Sequence, residues 1–412
     1  MLRFHVADTL TGALLGQLHP SEWMISDPVT GSATGSVTLR IPQDAAGTAR
    51  LADLVRPRRR QLIVEDTDAP PTANRFLFGG PIPHRASYNR TAGTITVPVV
   101  DWRGWFYAAV LRPDTDWTAT SGHVGDYIVK DTEQADSMAW LMEAALNTVG
   151  APHMVVDDPP VTGVLRDVTV RALGRYIGEE LDAIRDRNDD GTCDWYTYVT
   201  YDEAARTFLA HVAVAWPQRS SRSDPITLGV KGSEELQVRA GHGSPVSDYT
   251  WPEGVDQPTR VFALGEGNPP AQVWAGDQLP DVGDLDDTGA PSDEAELCWE
   301  QLAGPFTGVV RKAGAFEHAS SIVSATAELS GQATFTVPAT RVGLAEIVAG
   351  DRARLLVSDG WLDVELDAVR IIQRDLSGSQ GAPVQQVLTL DLADPVAVGS
   401  ADPGVDGVTD GS

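Results

Sequence analysis

The sequence contains few of the residues that bind phosphate or form disulfides. Lysine and arginine number 31 against 58 aspartate and glutamate residues, so the net charge is −27. This balance argues against a surface that holds nucleic acid, because phosphate binding requires clustered basic side chains. The two cysteines, Cys193 and Cys298, are too few for a disulfide framework or a zinc cluster.

Long apolar runs are also missing. Residues 1–8 lack the hydrophobic core of a signal peptide, and no stretch approaches membrane-spanning length. We therefore expect a soluble protein made in a reducing cytoplasm, with no membrane insertion by this chain. The 412 residues suffice for more than one domain, and the 39 glycines and 27 prolines favour many short strands joined by turns.

Motifs for catalysis are absent. The eight histidines occur singly, and none forms a His-x-x-x-His pair. No Gly-x-Ser-x-Gly turn and no phosphate-binding loop before a lysine is present. Carboxylates are abundant, yet no pair stands out as the two acids of a glycosidase. We predict no catalytic residue, no cofactor and no metal ligand, and therefore a protein that is not an enzyme.

One acidic stretch matches the first half of a calcium-binding loop. Asp186, Asn188 and Asp190 alternate before a glycine, and Asp194 falls at the ninth position of the loop. The twelfth position, however, is Thr197 where a bidentate glutamate is required, and a β-pattern follows where a helix is required. An ordinary acidic turn between a helix and a strand is therefore the favoured interpretation.

The main positive feature is a β-pattern that occurs twice. The first copy consists of four predicted strands, at residues 35–42, 60–66, 76–82 and 94–101. The second copy has the same order, at residues 331–338, 353–359, 364–372 and 384–391. Residues 344–348 also match residues 51–55, between the first and second strands. Two unrelated antiparallel sheets could share such turns, but the conserved order favours duplication of one small β-barrel or sandwich.

The predicted fold is mainly β (α+β), with two related β-barrel or sandwich domains separated by unrelated chain. Its five parts are a first barrel at 1–112, an inserted α/β domain at 113–225, an irregular β segment with an acidic loop at 226–317, a second barrel at 318–394 and a flexible tail at 395–412. A hairpin around Thr11 and Gly12 is predicted to join the first barrel.

The inserted part contains the clearest helical pattern, at residues 131–150. Asp131 can cap the start with Gln134 three residues later, and Gly150 can close the end. An apolar stripe at helical spacing predicts the buried face: Ala135, Met138, Ala139, Met142, Ala145, Leu146 and Val149. A shorter helix is predicted at 176–186, followed by a hairpin with strands at 195–201 and 208–216.

Two aromatic clusters have a structural and a ligand-binding interpretation. Trp102 and Trp105 lie close to further aromatics, so burial at a domain junction is favoured over ligand stacking. A second cluster could form a stacking platform for carbohydrate, although strand alternation turns half of it toward a core: Trp195, Tyr196, Tyr198 and Tyr201. The one compact basic run, residues 56–60, suits a solvated turn or an acidic protein neighbour better than a contact with DNA.

The duplicated unit, the run of Asp101, Trp102 and Arg103, and the segment at 350–359 together resemble a known family. They are similar to the tail-tip or baseplate hub proteins (minor tail proteins) of long-tailed phages that infect actinobacteria. The resemblance covers the chain to about Asp394. It implies a homotrimer in which two barrels per subunit present six similar barrels to a six-fold tail tube, with an inserted α/β domain.

The resemblance also implies location, partners and role. It predicts a structural protein of the virion tail tip, assembled in the host cytoplasm, that contacts the distal tail protein, the tape measure protein, the tail tube and tip or fibre proteins. The chain stops shortly after its second barrel, so no wall-degrading activity is expected. DNA would pass through without specific binding, along an inner wall richer in acidic than in basic residues. The alternatives are a hexameric distal tail protein and a carbohydrate-binding or glycan-cleaving tip protein.

Overall fold

The fold is known from a computed structural model. It describes residues 1–70, 75–111, 126–147, 150–171, 175–185, 193–216, 219, 225–229, 246–251, 260–264, 274–278, 300–303, 312, 316, 319, 332–339, 343–358 and 363–395. The chain divides into two compact units, residues 1–249 with 334–389, and residues 250–333 with 390–412. The predicted five-part division is finer than this and remains a prediction.

The first β copy is a two-layer sandwich in the first unit. Its elements are β1 (Leu2–Asp8), β2 (Leu14–Leu18), β3 (Glu22–Pro28), β4 (Thr34–Arg40), α1 (Ala45–Leu54), β5 (Arg60–Asp66), β6 (Phe76–Pro81), β7 (Ser87–Asn89), β8 (Thr94–Val100) and α2 (Arg103–Phe106). One layer has the order β2-β1-β5-β6, and the other contains β3-β4-β8-β7. Gly12, with a φ of 70°, closes the predicted β1–β2 hairpin.

Alternating apolar residues of the two layers form one core. Phe4 and Val64 from the first layer belong to the same buried cluster as Trp23, Val37 and Val97 from the second. The rings of Phe4 and Trp23 are 5.7 Å apart, edge to face. The first layer is also covered on its other side, which explains why β1 and β5 consist of nearly continuous buried residues rather than alternating ones.

The inserted segment supplies that outer cover. Its elements are β9 (Asp126–Glu133), α3 (Gln134–Leu146), β10 (Met154–Val156), β11 (Leu165–Arg171), α4 (Ile177–Arg185), β12 (Asp194–Asp202) and β13 (Thr207–Ala215). Val199 and Phe208 of the β12–β13 hairpin pack on Ala7 and Ile63 of the first sandwich. Both predicted helices and the hairpin are confirmed.

The predicted cap of the longer helix is wrong. Asp131 lies within β9 with a φ of 48°, and its backbone N–H donates to the carboxylate of Asp167 at 3.0 Å. The helix begins three residues later because Glu133 takes the N-cap position. The Glu133 carboxylate does not cap the helix; it accepts hydrogen bonds from Thr162 and Gly163 of a neighbouring loop.

The second β copy lies mainly in the first unit. Its strands are β19 (Gln332–Pro338), β20 (Arg352–Ser358), β21 (Asp363–Ser379) and β22 (Gln385–Pro395), with β14 (Ile226–Gly229) and β15 (Asp248–Thr250) beside them. They join β3, β4, β8 and β7 in one sheet of ten strands, in which β21 lies next to β3. The second unit contributes β16 (Arg260–Leu264), β17 (Trp274–Gln278) and β18 (Glu300–Ala303), in the order β17-β16-β18.

The two copies share their strand pairings. The first strand pairs with the closing strand in each, β4 with β8 and β19 with β22, and the second pairs with the third, β5 with β6 and β20 with β21. They differ in two respects. β5 has the antiparallel neighbour β1, whereas β20 has the parallel neighbour β14. The two pairs of the first copy lie in separate sheets, whereas in the second copy β21 also pairs with β22, so both pairs lie in one sheet. The mainly β prediction is confirmed, and the described sheets are open, which favours the sandwich over the barrel.

The segments between the first and second strands have different structures in the two copies. Residues 51–55 overlap the end of helix α1, whose start is capped by Asp44, since its side chain accepts from the Gly47 N–H at 2.6 Å. Residues 344–346 form a turn instead, and residues 347–348 are neither helix nor strand. Among the described helices, none combines the length and apolar character needed to cross a membrane.

Candidate functional site: an ionic junction between the β copies

A buried cluster of ion pairs begins on the first copy. Asp27 lies on β3, Asp101 directly follows β8, and Arg103 opens the short helix α2. Arg103 donates from Nε to Asp101 Oδ2 at 2.5 Å and from Nη2 to Asp27 Oδ1 at 2.7 Å. It also donates to the backbone carbonyl of Pro28 at 2.8 Å. A guanidinium this deeply buried, at 1% exposure, is tolerated because its donors are satisfied.

Arg219 connects this cluster to the inserted segment. Its Nη2 atom is 3.3 Å from Asp27 Oδ2, and its backbone N–H donates to Asp194 Oδ2 at 2.7 Å. Its guanidinium also lies over the ring of Tyr196, 5.1 Å from the ring centre. One residue therefore contacts both β3 and β12.

The second copy contributes residues of β21 to the cluster. Arg370 forms an ion pair with the same Asp194, and Arg374 donates to the carbonyls of Leu344, at 2.9 Å, and Ile347. Gly350, with a φ of 102°, allows the neighbouring backbone to approach, because a Cβ atom there would lie 2.3 Å from the Arg219 carbonyl oxygen. Three parts of the chain that are remote in sequence thus meet at one buried polar site.

Burial and charge shift the acids of the cluster in opposite directions. Burial alone would raise the pKa of Asp27, but Arg219, Arg103 and Arg374 outweigh it and hold the pKa below the ordinary value. At Asp101 burial dominates, so its pKa is raised although Arg103 opposes the change. Burial also lowers the pKa of Arg374. The arginines thus favour the charged form of both acids, while burial opposes it.

The cavity beside the cluster is too small for a substrate. Its volume is about 40 Å³, and Asp27, Asp101, Arg219, Arg374 and Tyr198 contribute to its lining. That space suits roughly three water molecules. The arrangement can join elements and hold water, and it offers no room for an organic ligand.

The two aromatic clusters have structural roles. Trp102 is 2% exposed, and Phe106, next to Trp105, packs edge to face on Trp195 at 5.7 Å. The predicted burial is confirmed for Trp102, while Trp105 is half-buried.

The remaining aromatics do not form an open platform. Tyr201 packs on Phe208, while Tyr198 lies between Tyr196 and His211 at ring distances of 6.0 and 4.6 Å. Because Arg219 covers the next face, the rings of this stack mainly contact one another. His211 is held by Asp157 at 2.9 Å and by Thr200 at 2.9 Å.

The calcium-loop residues Asp186, Asn188 and Asp190 lie outside the described part of the chain. Asp194, the ninth position of that loop, is 1% exposed and contacts Arg219 and Arg370. Asp101 and Arg103 belong to the run on which the family resemblance rests, but the sequence pattern does not predict the cluster. Its other members carry no motif that would reveal them.

Comparison with known proteins gives the fold. No protein-family model matches the chain, and no curated protein does. Among solved structures, the 43 kDa tail protein of prophage MuSo2 from Shewanella oneidensis has a TM-score of 0.51 at 12% identity, over 95% of this chain and 98% of that one. The chain shares its fold with a phage tail protein. A tail protein from Neisseria meningitidis MC58 has a TM-score of 0.47 at 11% identity, over 95% and 97% of the two chains.

Proposed function

We propose that this chain is a structural, non-enzymatic virion protein: a trimeric tail-tip hub that adapts a six-fold tail tube or distal tail ring to a three-fold tip. The observation that carries the proposal is the pairing of β21 with β3. Seven residue pairs, from Gln373 with Pro28 to Ser379 with Glu22, join the second copy edge to edge to the first. The shared fold with a phage tail protein supports the same role.

The symmetry argument follows from this join. A closed ring of three identical chains has three-fold symmetry, whereas a tail tube has six-fold symmetry. If each chain presents two similar sandwiches side by side, three chains offer six similar surfaces to the tube. The two pairs of strands that both copies share support this arrangement.

The charged groups support a structural role. The ionisable residues of the junction pair with one another, and the adjoining cavity of about 40 Å³ leaves no space for a substrate. The stack around Tyr198 likewise provides little open ring surface for a sugar. The alternative of a carbohydrate-binding or glycan-cleaving protein has no comparable geometry among the described residues.

The partners and location follow from the same proposal. The hub would contact the distal tail protein, the tape measure protein, the tail tube and tip or fibre proteins, at the tail tip of a virion assembled in the host cytoplasm. A siphovirus of an actinobacterium is the source that the sequence resemblance predicts. DNA would cross an acidic channel without specific binding, in keeping with the net charge of −27.

Native mass spectrometry and low-resolution imaging of the purified full-length chain test the proposal. We expect three copies in a ring with a six-fold outline. Six copies per ring would support a distal tail protein instead, and a monomer at all concentrations would contradict both. A ring whose inner wall is basic would contradict the channel hypothesis while leaving the subunit count intact.

A further inference from the structure

The turn between α1 and β5 carries an exposed group of arginines on a fixed backbone. The Arg58 N–H donates to the carbonyl of Ile82 at 2.8 Å, and the Thr9 N–H donates to the carbonyl of Arg59 at 3.3 Å. The Thr9 hydroxyl also donates to the Arg58 carbonyl, at 3.3 Å. The turn is therefore held from both sides by the ends of β1 and β6.

The arginines of the turn fall into two kinds. Arg60 is used internally, since it pairs with Asp8 at 3.1 Å and with Asp53 at 3.0 Å. The side chains of Arg56, Arg58 and Arg59 are exposed, and within the described part of the chain none of the three has an acidic partner. In a protein of net charge −27, three such arginines within four positions form a local positive patch.

The backbone at Arg58 is strained. Its φ of 59° lies in the left-handed region, which glycine, asparagine and aspartate adopt far more readily than arginine. Arg206 has a similar φ of 56°, so the strain alone assigns no role. The inference rests on the three exposed charges and on the backbone hydrogen bonds that hold the turn.

We infer that Arg56, Arg58 and Arg59 dock on residues 281–296 of a second copy of this chain. That segment contains seven acidic residues and no lysine or arginine: Asp281, Asp284, Asp286, Asp287, Asp293, Glu294 and Glu296. A closed three-fold ring needs two different, complementary patches on each subunit, and the sequence supplies this pair. The inference rests on the proposed ring and identifies the contact between its subunits.

The test uses the full-length protein at about 150 mM salt, where surface charges act over roughly 8 Å. A turn variant combines Arg56→Asp, Arg58→Asp and Arg59→Asp. A segment variant combines Asp284→Arg, Asp286→Arg and Asp287→Arg, and a swap variant carries all six changes. The matched control combines Arg3→Asp, Arg40→Asp and Arg90→Asp, which are exposed and carry the same change in charge. Thermal unfolding verifies that each variant folds.

We expect the turn and segment variants to require at least about tenfold more protein to form rings, while the control assembles normally. The swap variant should recover assembly, and the turn and segment variants should associate when mixed, because the contact lies between copies. Native mass spectrometry and sedimentation velocity measure all four results.

Other outcomes overturn the inference in distinguishable ways. A turn variant that assembles like the wild type refutes the contact and leaves the trimeric hub standing. Loss of assembly without recovery in the swap variant refutes residues 281–296 as the occupant. The wild type could instead bind duplex DNA, with the turn variant alone losing this binding and still forming rings. That result would assign the patch to phosphate binding. A wild type that is monomeric at every concentration removes both the ring and the contact.

Discussion

Arg219 Nη2 lies 3.3 Å from Asp27 Oδ2, although 192 positions separate the two residues in the sequence. The same arginine reaches Asp194 through its backbone and Tyr196 through its guanidinium. Its surroundings include Gly350 of the second copy. The stability of the junction should therefore respond to changes in any of the three parts that meet there. Three predictions test how the junction is held together, and a fourth tests the arginine turn.

Replacing Arg103 should destabilise the protein strongly. Arg103→Met would leave Asp101 buried without its arginine and Asp27 with Arg219 alone of the two arginines that pair with it. We expect a loss of roughly 3–5 kcal/mol in the free energy of unfolding. Chemical denaturation measures it. The exposed Arg90 provides the control, because Arg90→Met should change the same quantity by less than about 0.5 kcal/mol. Equal effects at the two sites would contradict the assignment of a buried ion pair.

The contributions of the Asp27 and Asp101 carboxylates to stability should depend on pH in opposite directions. The pKa of Asp27 is lowered on folding, so its contribution is present above the unfolded value of 3.8 and is lost as the pH falls through the folded pKa. The pKa of Asp101 is raised, so its contribution is full below 3.8 and declines as the pH rises through the folded pKa.

Variants separate these two contributions. The difference in unfolding free energy between wild type and Asp27→Asn should shrink on acidification, whereas that between wild type and Asp101→Asn should shrink as the pH rises. Urea titrations at a series of pH values below and above 3.8 measure both differences. If the two differences in unfolding free energy changed with pH in the same direction, the opposite pKa shifts of Asp27 and Asp101 would be wrong.

Two features of Gly350 should affect stability separately: the close approach of the neighbouring backbone and the positive φ. Gly350→Ala places a Cβ 2.3 Å from the Arg219 carbonyl oxygen, whereas Gly31 has a φ of 85° and no atom within 4 Å of a Cβ. We expect Gly31→Ala to reduce the unfolding free energy by about 1–2 kcal/mol and Gly350→Ala by several kcal/mol more. Thermal and urea unfolding compare the pair. Similar losses would mean that only the φ matters.

Relieving the backbone strain at Arg58 should weaken ring assembly without lowering the stability of the fold. Arg58→Gly removes a left-handed arginine, so the unfolding free energy should stay constant or rise by up to about 1 kcal/mol, while ring formation weakens. Arg206, with a φ of 56° on another exposed turn, is the matched control. Arg206→Gly should have the same effect on stability and none on assembly. Weaker assembly in both variants would contradict a specific role for Arg58.

The sequence predicted the local elements better than their connections. The strand at residues 60–66 and the apolar stripe on α3 depend on neighbours a few positions apart; the strand is confirmed, and five of the seven predicted stripe residues are buried. The cap at Asp131 was wrong because a contact with Asp167, 36 positions away, fixes its backbone in a strand.

The junction could not be predicted for the same reason. Its ion pairs join Asp27, Asp194, Arg219 and Arg370, whose distances along the chain follow no regular spacing, and their partners are defined only once β21 pairs with β3. A run of exposed arginines was visible in the sequence. The left-handed backbone beneath it was not, since nothing in the residue types of that run requires it.

The 17-residue strand β21 has a mechanical consequence. Its earlier part is bonded to β20 and its later part to β3, so a single uninterrupted backbone segment spans both copies. A hinge between the copies would have to break that ladder. If the chain forms the proposed ring, widening its centre would therefore require neighbouring polypeptides to slide past each other, because the two copies within each polypeptide share this strand.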